Sequence, residues 1–310
     1  MLVSATASET WTTRKLLAWM TEAFTRNKLD SPRLMAEMLL SHVLGCQRLR
    51  LYMEPDRPAS ELEKRSLRDL VARAIKHEPV QYLVGESVFF ALTFTVDKRV
   101  LIPRPATQTI VEYVLQHART APGFGGSAGE GVLFADVCTG SSCIATSLLY
   151  TMKQARAVAT DLSPDALAVA RLNAIRHGVI DRLELLQGDL LAPLLEHPTT
   201  RAHESLHYLV SNPPYIPDHE WDAVEPNVKN HEPHLALRGG TDGMRLVSPL
   251  IEQGPALLRP GGLLLIELAS CNCERAQAAA QAHPMLEGAR ILPDIDNLPR
   301  VLVAAKRPSA

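Results

Sequence analysis

The chain has 310 residues, of which 46% are hydrophobic and 21% charged, a composition typical of an ordinary globular protein. A net charge of −2 gives no electrostatic footprint for duplex nucleic acid, and no apolar run reaches the roughly 18 residues of a membrane span. Five scattered cysteines and an N-terminus without a signal-peptide pattern indicate a cytoplasmic protein, and the close pair Cys271 and Cys273 does not fit a zinc site, so no metal is expected.

Residues 1–84 are predicted to form a small helical domain. Leu16, Met20 and Phe24 recur at helical spacing, and Ser60 with Glu63 makes a capping-box pattern at the start of a later helix. Strand signals do not occur in this segment. It is expected either to bind a protein partner or only to stabilise the chain.

Residues 85–105 are predicted to form a β-hairpin linker between two domains. Val88, Phe90, Leu92 and Phe94 alternate with other residues at period two, the spacing of a strand with one buried face.

Residues 106–310 are predicted to form an α/β domain in which strands and helices alternate. The predicted strands are 132–136, 155–160, 183–186, 208–211, 263–268, 289–292 and 301–304. Such alternation favours a doubly wound, mostly parallel sheet with helices on both faces. Ligands of these sheets bind at the carboxyl ends of the strands, near the switch in strand order.

Acidic residues and a tight turn follow the first three of these strands. Asp136 begins the sequence Asp-Val-Cys-Thr-Gly-Ser-Ser, Asp161 ends the second strand, and Asp189 follows the third. A tight turn lets backbone N–H groups approach a ligand, and a carboxylate at the end of the second strand can accept both hydroxyls of a ribose. Together they predict a site for an adenosine-containing cofactor.

Asn212-Pro213-Pro214-Tyr215 ends a further apolar run and suits the methylation of a planar, conjugated NH2 group. The nitrogen of such a group is a poor nucleophile, so two acceptors must hold both N–H groups while its lone pair faces the methyl donor. The Asn212 side-chain oxygen and the Pro213 carbonyl can be these acceptors, and proline fixes the backbone between them. Tyr215 then offers a flat face for the planar group.

This order of motifs resembles the class I S-adenosylmethionine-dependent methyltransferases, and more narrowly the HemK/PrmC family of N5-glutamine methyltransferases of peptide chain release factors. The resemblance extends over nearly the whole chain. Its further motifs are 78–85, 101–105, 231–233, 236–243 and 296–301. It implies a Rossmann-like sheet of seven strands with the last antiparallel, S-adenosylmethionine as cofactor, and as substrate the glutamine of a Gly-Gly-Gln loop in a release factor.

The resemblance also implies the site residues. The cofactor-binding residues would be Asp136, Cys138, Thr139, Gly140, Ser141, Ser142, Asp161, Asp189, Leu190 and Asn212. The catalytic residues would be Asn212, Pro213 and Tyr215, with Pro214 joining them in substrate binding.

The chain departs from the family pattern in two places. Ser142 replaces the last glycine of the turn, which costs little if its φ is negative but could narrow the pocket if it is not. Ala106 and Gln108 replace acidic residues on either side of Thr107, which puts any contact of those carboxylates in doubt.

Three alternatives remain open from sequence. The same chemistry would serve N5-glutamine methylation of a large-subunit ribosomal protein, or amino-methylation of adenine in nucleic acid, which the lack of net positive charge disfavours. A non-catalytic binder with a decayed pocket is the third. A monomer without direct nucleic-acid binding is expected.

Overall fold

The computed structural model describes residues 10–201 and 205–308. The helices are α1 Thr13–Arg26, α2 Pro32–Val43, α3 Arg50–Met53, α4 Glu61–Ala74, α5 Val80–Val84, α6 Gln108–Thr120, α7 Cys143–Thr151, α8 Pro164–Arg176, α9 Ala192–Glu196, α10 Pro198–Arg201, α11 Pro226–Lys229, α12 Val247–Gln253 and α13 Cys273–Ala282. The strands are β1 Glu86–Phe89, β2 Leu92–Thr95, β3 Leu133–Val137, β4 Arg156–Asp161, β5 Leu183–Gln187, β6 Leu206–Ser211, β7 Ile216–Pro217, β8 Arg238–Gly240, β9 Leu258–Glu267, β10 Leu286–Pro293 and β11 Pro299–Lys306.

Seven strands form one sheet in the order β10-β11-β9-β6-β3-β4-β5. The pairs from β9 to β5 are parallel, whereas β11 runs antiparallel to both of its neighbours. The predicted fold, a seven-stranded mostly parallel sheet with the last strand antiparallel, is therefore confirmed. The chain moves outward from β3 to β4 and β5 and then returns to β6 on the other side of β3, which creates the switch point at which ligands bind.

Helices cover both faces of this sheet. On one face, α9, α12 and α13 pack buried side chains such as Leu194, Ile251 and Ala276 against sheet residues that include Leu264. Helices α6, α7 and α8 contact sheet strands as well, and α7 is buried at almost every position. Burial on both faces explains why the central strands are continuous apolar runs in the sequence.

The chain folds into two compact units, and the first contains the described residues up to Gly85 together with 226–231. Its core contains Leu16, Met20 and Phe24, the residues whose spacing predicts the first helix. At the start of α4, the Ser60 hydroxyl accepts from the backbone of Glu63 and the Glu63 carboxylate accepts from the backbone of Ser60, so the predicted capping box is present. The boundaries predicted at residues 84 and 105 stay predictions of independent domains.

The second unit contains residues 86–225 and those from 232 onward, and it begins with the β1–β2 hairpin. Its two-residue turn, Phe90-Ala91, has positive φ at both positions, as a type I′ turn requires. Such a turn places Phe89 and Phe94 on one buried face, while Val88 is 72% exposed. The predicted period-two pattern was therefore wrong for the first strand, because the turn shifts the alternation by one residue.

Among the described residues, no helix has both the length and the apolar character needed to cross a membrane.

Candidate functional site

A cavity of about 450 Å³ lies at the carboxyl ends of β3, β4, β5 and β6. This volume falls within the range of roughly 300–1,000 Å³ that is usual for small-molecule sites. Nine of the residues predicted for the site line it: Cys138, Thr139, Gly140, Ser141, Asp161, Asp189, Leu190, Asn212 and Pro214. Asp136, Ser142, Pro213 and Tyr215 do not, although they neighbour residues that do.

Asp136 holds the turn after β3 in place by hydrogen bonds and does not line the cavity. Its side chain is fully buried, and one oxygen accepts from the Thr139 hydroxyl at 2.8 Å and from the backbone N–H of Ala145 at 3.1 Å. Burial raises the pKa of this carboxyl from 3.8 to about 7. The carboxylate fixes the turn and does not line the cavity, so its predicted role in cofactor binding stays a prediction.

The turn itself has an unusual backbone. Cys138, Gly140 and Ser142 all have positive φ, at 61°, 54° and 63°. The Ser142 side chain is fully buried, with its hydroxyl 3.0 Å from that of Thr146. Replacement of the family's glycine therefore places a strained residue in the turn, but its side chain does not line the cavity.

Cys138 lines the cavity, yet its thiol is not a nucleophile at neutral pH. Burial raises the thiol pKa far above its ordinary value, and the nearby carboxylates of Asp161 and Asp136 add to the effect. A thiol that keeps its proton does not attack as a thiolate.

Asp161 is the carboxylate best placed to hold a polar ligand. One oxygen accepts from the backbone N–H of Gly140 at 2.9 Å, and the other accepts from that of Ser163, also at 2.9 Å. These bonds hold the side chain at the wall of the cavity, and a carboxylate has about four lone-pair sites, so it keeps capacity for a further donor. Burial raises its pKa, while the backbone donors oppose the rise.

The segment after β5 brings Asp189 and Leu190 to the cavity. Leu190 has a φ of 45°, and its carbonyl accepts from the Thr160 hydroxyl at 3.0 Å. A Cβ on Gly188 would lie 2.3 Å from Pro193, so this position admits only glycine without movement of the proline ring. The segment is thus fixed beside Asp161.

Asn212 follows β6 and meets a partner that the sequence did not reveal. Its side-chain nitrogen donates to the Thr107 hydroxyl at 3.2 Å, and Thr107 also lines the cavity. With the NH2 end held in this way, the carboxamide oxygen remains available as an acceptor. Ala106 and Gln108, the departures on either side of Thr107, do not line the cavity.

Tyr215 is half-buried beside the cavity rather than in its lining. Its hydroxyl donates to Glu267 at 3.1 Å, and a Cβ on Gly239 or Gly243 would collide with the Tyr215 backbone at 2.8 Å or 2.5 Å. The strands β7 and β8 pair directly after it. The glycines near 240 therefore serve close packing that holds the end of the Asn212–Tyr215 segment.

Glu232 fixes another wall of the cavity. This buried carboxylate accepts from the backbone N–H of Ile102 at 3.1 Å and pairs with Arg104. The segment that it anchors contributes Leu101 and Pro103 to the lining. Sequence reasoning noted the motifs at 101–105 and 231–233 but not their pairing.

The site combines a cavity of small-molecule size, a carboxylate with spare acceptor capacity, and an oriented carboxamide. Cofactors with a ribose diol fit the first two features, because Asp161 faces the cavity with unused lone pairs. Asn212 lies in the same cavity and can accept an N–H of a second molecule. This arrangement suits group transfer to an amide or amine nitrogen without a protein nucleophile.

Comparison with known proteins points the same way. The family model described as the PrmC N-terminal domain matches residues 15–85. A release factor glutamine methyltransferase of Chlorobaculum tepidum is 38% identical over 296 residues, covering 94% of this chain and 96% of that protein. One of Geobacter sulfurreducens is 39% identical over 260 residues, covering 84% of this chain and 85% of its own length.

Among solved structures, the release-factor-specific protein-(glutamine-N5) methyltransferase of Alicyclobacillus acidocaldarius is 22% identical, with a TM-score of 0.41, and the match covers 69% of this chain and 100% of that chain.

Proposed function

The chain belongs to the family of release factor glutamine methyltransferases, and on this basis we propose that it transfers a methyl group from S-adenosylmethionine to the side-chain amide nitrogen of a glutamine in a peptide chain release factor. The glutamine is that of the Gly-Gly-Gln loop. The observation that carries the proposal is the Asn212 carboxamide, held by Thr107 in the same cavity as Asp161.

In this proposal, the residues of the turn and the strand ends bind the cofactor. Cys138–Ser141 lie against its methionine part, Asp161 accepts the ribose hydroxyls, and Asp189 with Leu190 flanks the adenine. Asp136 and Ser142 act indirectly by shaping the turn. When bound, S-adenosylmethionine supplies a methyl group that is already activated by its sulfonium.

Asn212 and Pro213 orient the substrate amide. The Asn212 oxygen accepts one N–H and the Pro213 carbonyl accepts the other, so the nitrogen lone pair is directed at the methyl. Pro214 contributes to the wall against which the amide plane lies, and Tyr215 supports this wall from beside the cavity. Alignment of this kind can lower the activation barrier of the methyl transfer by roughly 7–11 kcal/mol in favourable cases. The reaction uses no general base and no metal.

Further features belong to the same proposal. The scattered cysteines support a cytoplasmic location. A monomer that acts on protein rather than nucleic acid is proposed, and light scattering after gel filtration tests the oligomeric state.

The experiment is a methyl-transfer assay with labelled S-adenosylmethionine and mass spectrometry of the modified residue. Purified release factor, large-subunit ribosomal protein and DNA are offered in parallel. A single methyl on the Gly-Gly-Gln glutamine is the expected result. Label only on the ribosomal protein or only on DNA would overturn the choice of substrate, and failure to bind the cofactor would overturn methyl transfer itself.

Asn212→Ala tests the role of the carboxamide. We expect kcat to fall by about 10²-fold, which corresponds to ~3 kcal/mol of lost transition-state stabilisation. Cofactor affinity, measured with S-adenosylhomocysteine by calorimetry, should change little. An equal loss of turnover and cofactor affinity would reject the assigned role.

A further inference from the structure

Glu267, the last residue of β9, is a buried carboxylate that the proposed chemistry does not use. Its side chain is 1% exposed, and one oxygen accepts from the Tyr215 hydroxyl at 3.1 Å. The other oxygen is buried without a hydrogen-bond partner among the described residues. Burial of a carboxylate is costly, so its position calls for a reason.

The groups that face Glu267 are two hydroxyls, two arginines and a thiol. The hydroxyls of Thr107 and Tyr215 lower its pKa, as do the positive charges of Arg300 and Arg104. Burial outweighs them and raises the pKa above its ordinary value. Glu267 in turn contributes to raising the pKa of the Cys143 thiol.

Thr107 connects Glu267 to the site. A hydroxyl has one proton and two lone pairs, and the Thr107 oxygen already accepts from the Asn212 nitrogen at 3.2 Å. Its own proton therefore points away from Asn212, and the same hydroxyl acts on Glu267, whose pKa it lowers. Asn212 donates to Thr107 and Tyr215 donates to Glu267, so the two hydroxyls that act on Glu267 connect it to both ends of the Asn212–Tyr215 segment.

This order matters because a carboxamide has two different ends. If the Asn212 side chain turned over, its NH2 would face the cavity and oppose the N–H of a substrate amide. If Thr107 directs its proton to Glu267, the hydroxyl presents a lone pair to Asn212 and favours the orientation with the carboxamide oxygen facing the cavity.

We propose that Glu267 is a positioning residue that, through Thr107 and Tyr215, holds the Asn212 carboxamide and the Tyr215 side chain in the orientation needed for amide methylation. The inference rests on the proposed function. Glu267 acts only through other side chains and does not touch the substrate.

The test compares Thr107→Val, Thr107→Ser and Glu267→Gln in the full-length protein, with purified release factor as substrate. Valine keeps the shape of threonine but removes the acceptor for Asn212, so we expect kcat to fall about tenfold or more. Serine restores the hydroxyl and should recover most of that loss. Glu274→Gln, an exposed change in α13, is the matched control and should keep the wild-type rate.

The dependence of kcat on pH distinguishes a positioning role of Glu267 from a purely structural one. An ionised Glu267 attracts the hydroxyl protons more strongly than the neutral acid, which also carries a proton of its own, so wild-type kcat should fall towards low pH. Glu267→Gln should show a lower kcat without this acidic limb. The affinity of each variant for S-adenosylhomocysteine should stay within about twofold of the wild type.

The outcomes are distinct. Wild-type rates in both Thr107→Val and Glu267→Gln overturn the inference, as does a loss of cofactor affinity equal to the loss of kcat. Should Glu267→Gln not fold, the wild-type pH profile decides, and a kcat that stays constant towards low pH overturns the inference. No methylation of release factor by the wild-type protein overturns the proposed function, and the inference with it.

Discussion

Ser142 shows how a single residue can conflict with the backbone around it. Its φ of 63° lies in the left-handed region, where a side chain costs roughly 1–2 kcal/mol relative to glycine. The residue persists because its hydroxyl meets Thr146 within the fold. The backbone strain at Ser142 therefore destabilises the fold, whereas the hydrogen bond of its hydroxyl stabilises it.

A pair of variants isolates the strain at Ser142. Glycine and alanine both remove the hydroxyl, but only alanine keeps a Cβ at positive φ. We expect Ser142→Gly to be more stable than Ser142→Ala by about 1 kcal/mol in chemical denaturation. Equal stability of the two would contradict a strained backbone at this turn.

Asp136 gives the folded state a defined dependence on pH. Its pKa in the folded protein, about 7, lies above the ordinary 3.8, so the unfolded chain ionises first as pH rises. The contribution of this carboxyl to stability is thus fully present below about pH 4 and is lost as pH rises to about 7.

Asp136→Asn removes this titration. The free energy of unfolding of the variant, relative to wild type, should increase between about pH 4 and pH 7, by on the order of 4 kcal/mol at most. Urea denaturation at a series of pH values measures it. A difference that is constant across this range would show that Asp136 is ionised in the folded state at all these pH values.

At the scale of elements, local signals set where helices begin. The Ser60–Glu63 capping box satisfies two backbone N–H groups at the start of α4, and Glu63 also pairs with Arg57 at 2.7 Å. Ser163 caps α8 with a single hydrogen bond, which its hydroxyl accepts from the backbone N–H of Ala166. These residues act over three positions in the chain, which is why sequence alone places them.

Ser60→Ala should cost about 1 kcal/mol, because it leaves the N–H of Glu63 without its acceptor. Ser66→Ala, the same change inside α4, should be neutral or stabilise slightly through its higher helix propensity. Thermal unfolding of both variants provides the comparison. If Ser60→Ala were as stable as Ser66→Ala, the capping box would contribute nothing.

At the scale of the whole molecule, the site is assembled from distant parts of the chain. Thr107 meets Asn212 across 105 residues, and Ile102 meets Glu232 across 130. Binding of a ligand in the cavity is therefore expected to stabilise the fold of the second unit as a whole.

S-adenosylhomocysteine at about 100 times its dissociation constant should raise the free energy of unfolding by about 2.7 kcal/mol. Asp161→Ala should reduce this stabilisation at the same ligand concentration, because the ribose hydroxyls lose their acceptor, whereas Asn212→Ala should retain it. Thermal shift with and without ligand measures the effect. An undiminished shift in Asp161→Ala would reject the ribose assignment.

Sequence alone determined the features that depend on short-range physics. The seven strands of the main sheet follow from apolar runs, the start of α4 from its capping box, and the position of the site from residues at strand ends. Asp161 and Asn212 could be singled out because parallel strands bring their carboxyl ends to one edge.

Tertiary structure alone set how the site residues are oriented. The pairings of Thr107 with Asn212 and of Glu232 with Arg104 join segments more than 100 residues apart, and no periodicity encodes such pairings. The burial of a side chain also depends on all the elements that surround it. The positions of Asp136 and Ser142 in the turn therefore did not reveal that both side chains are buried and that neither lines the cavity.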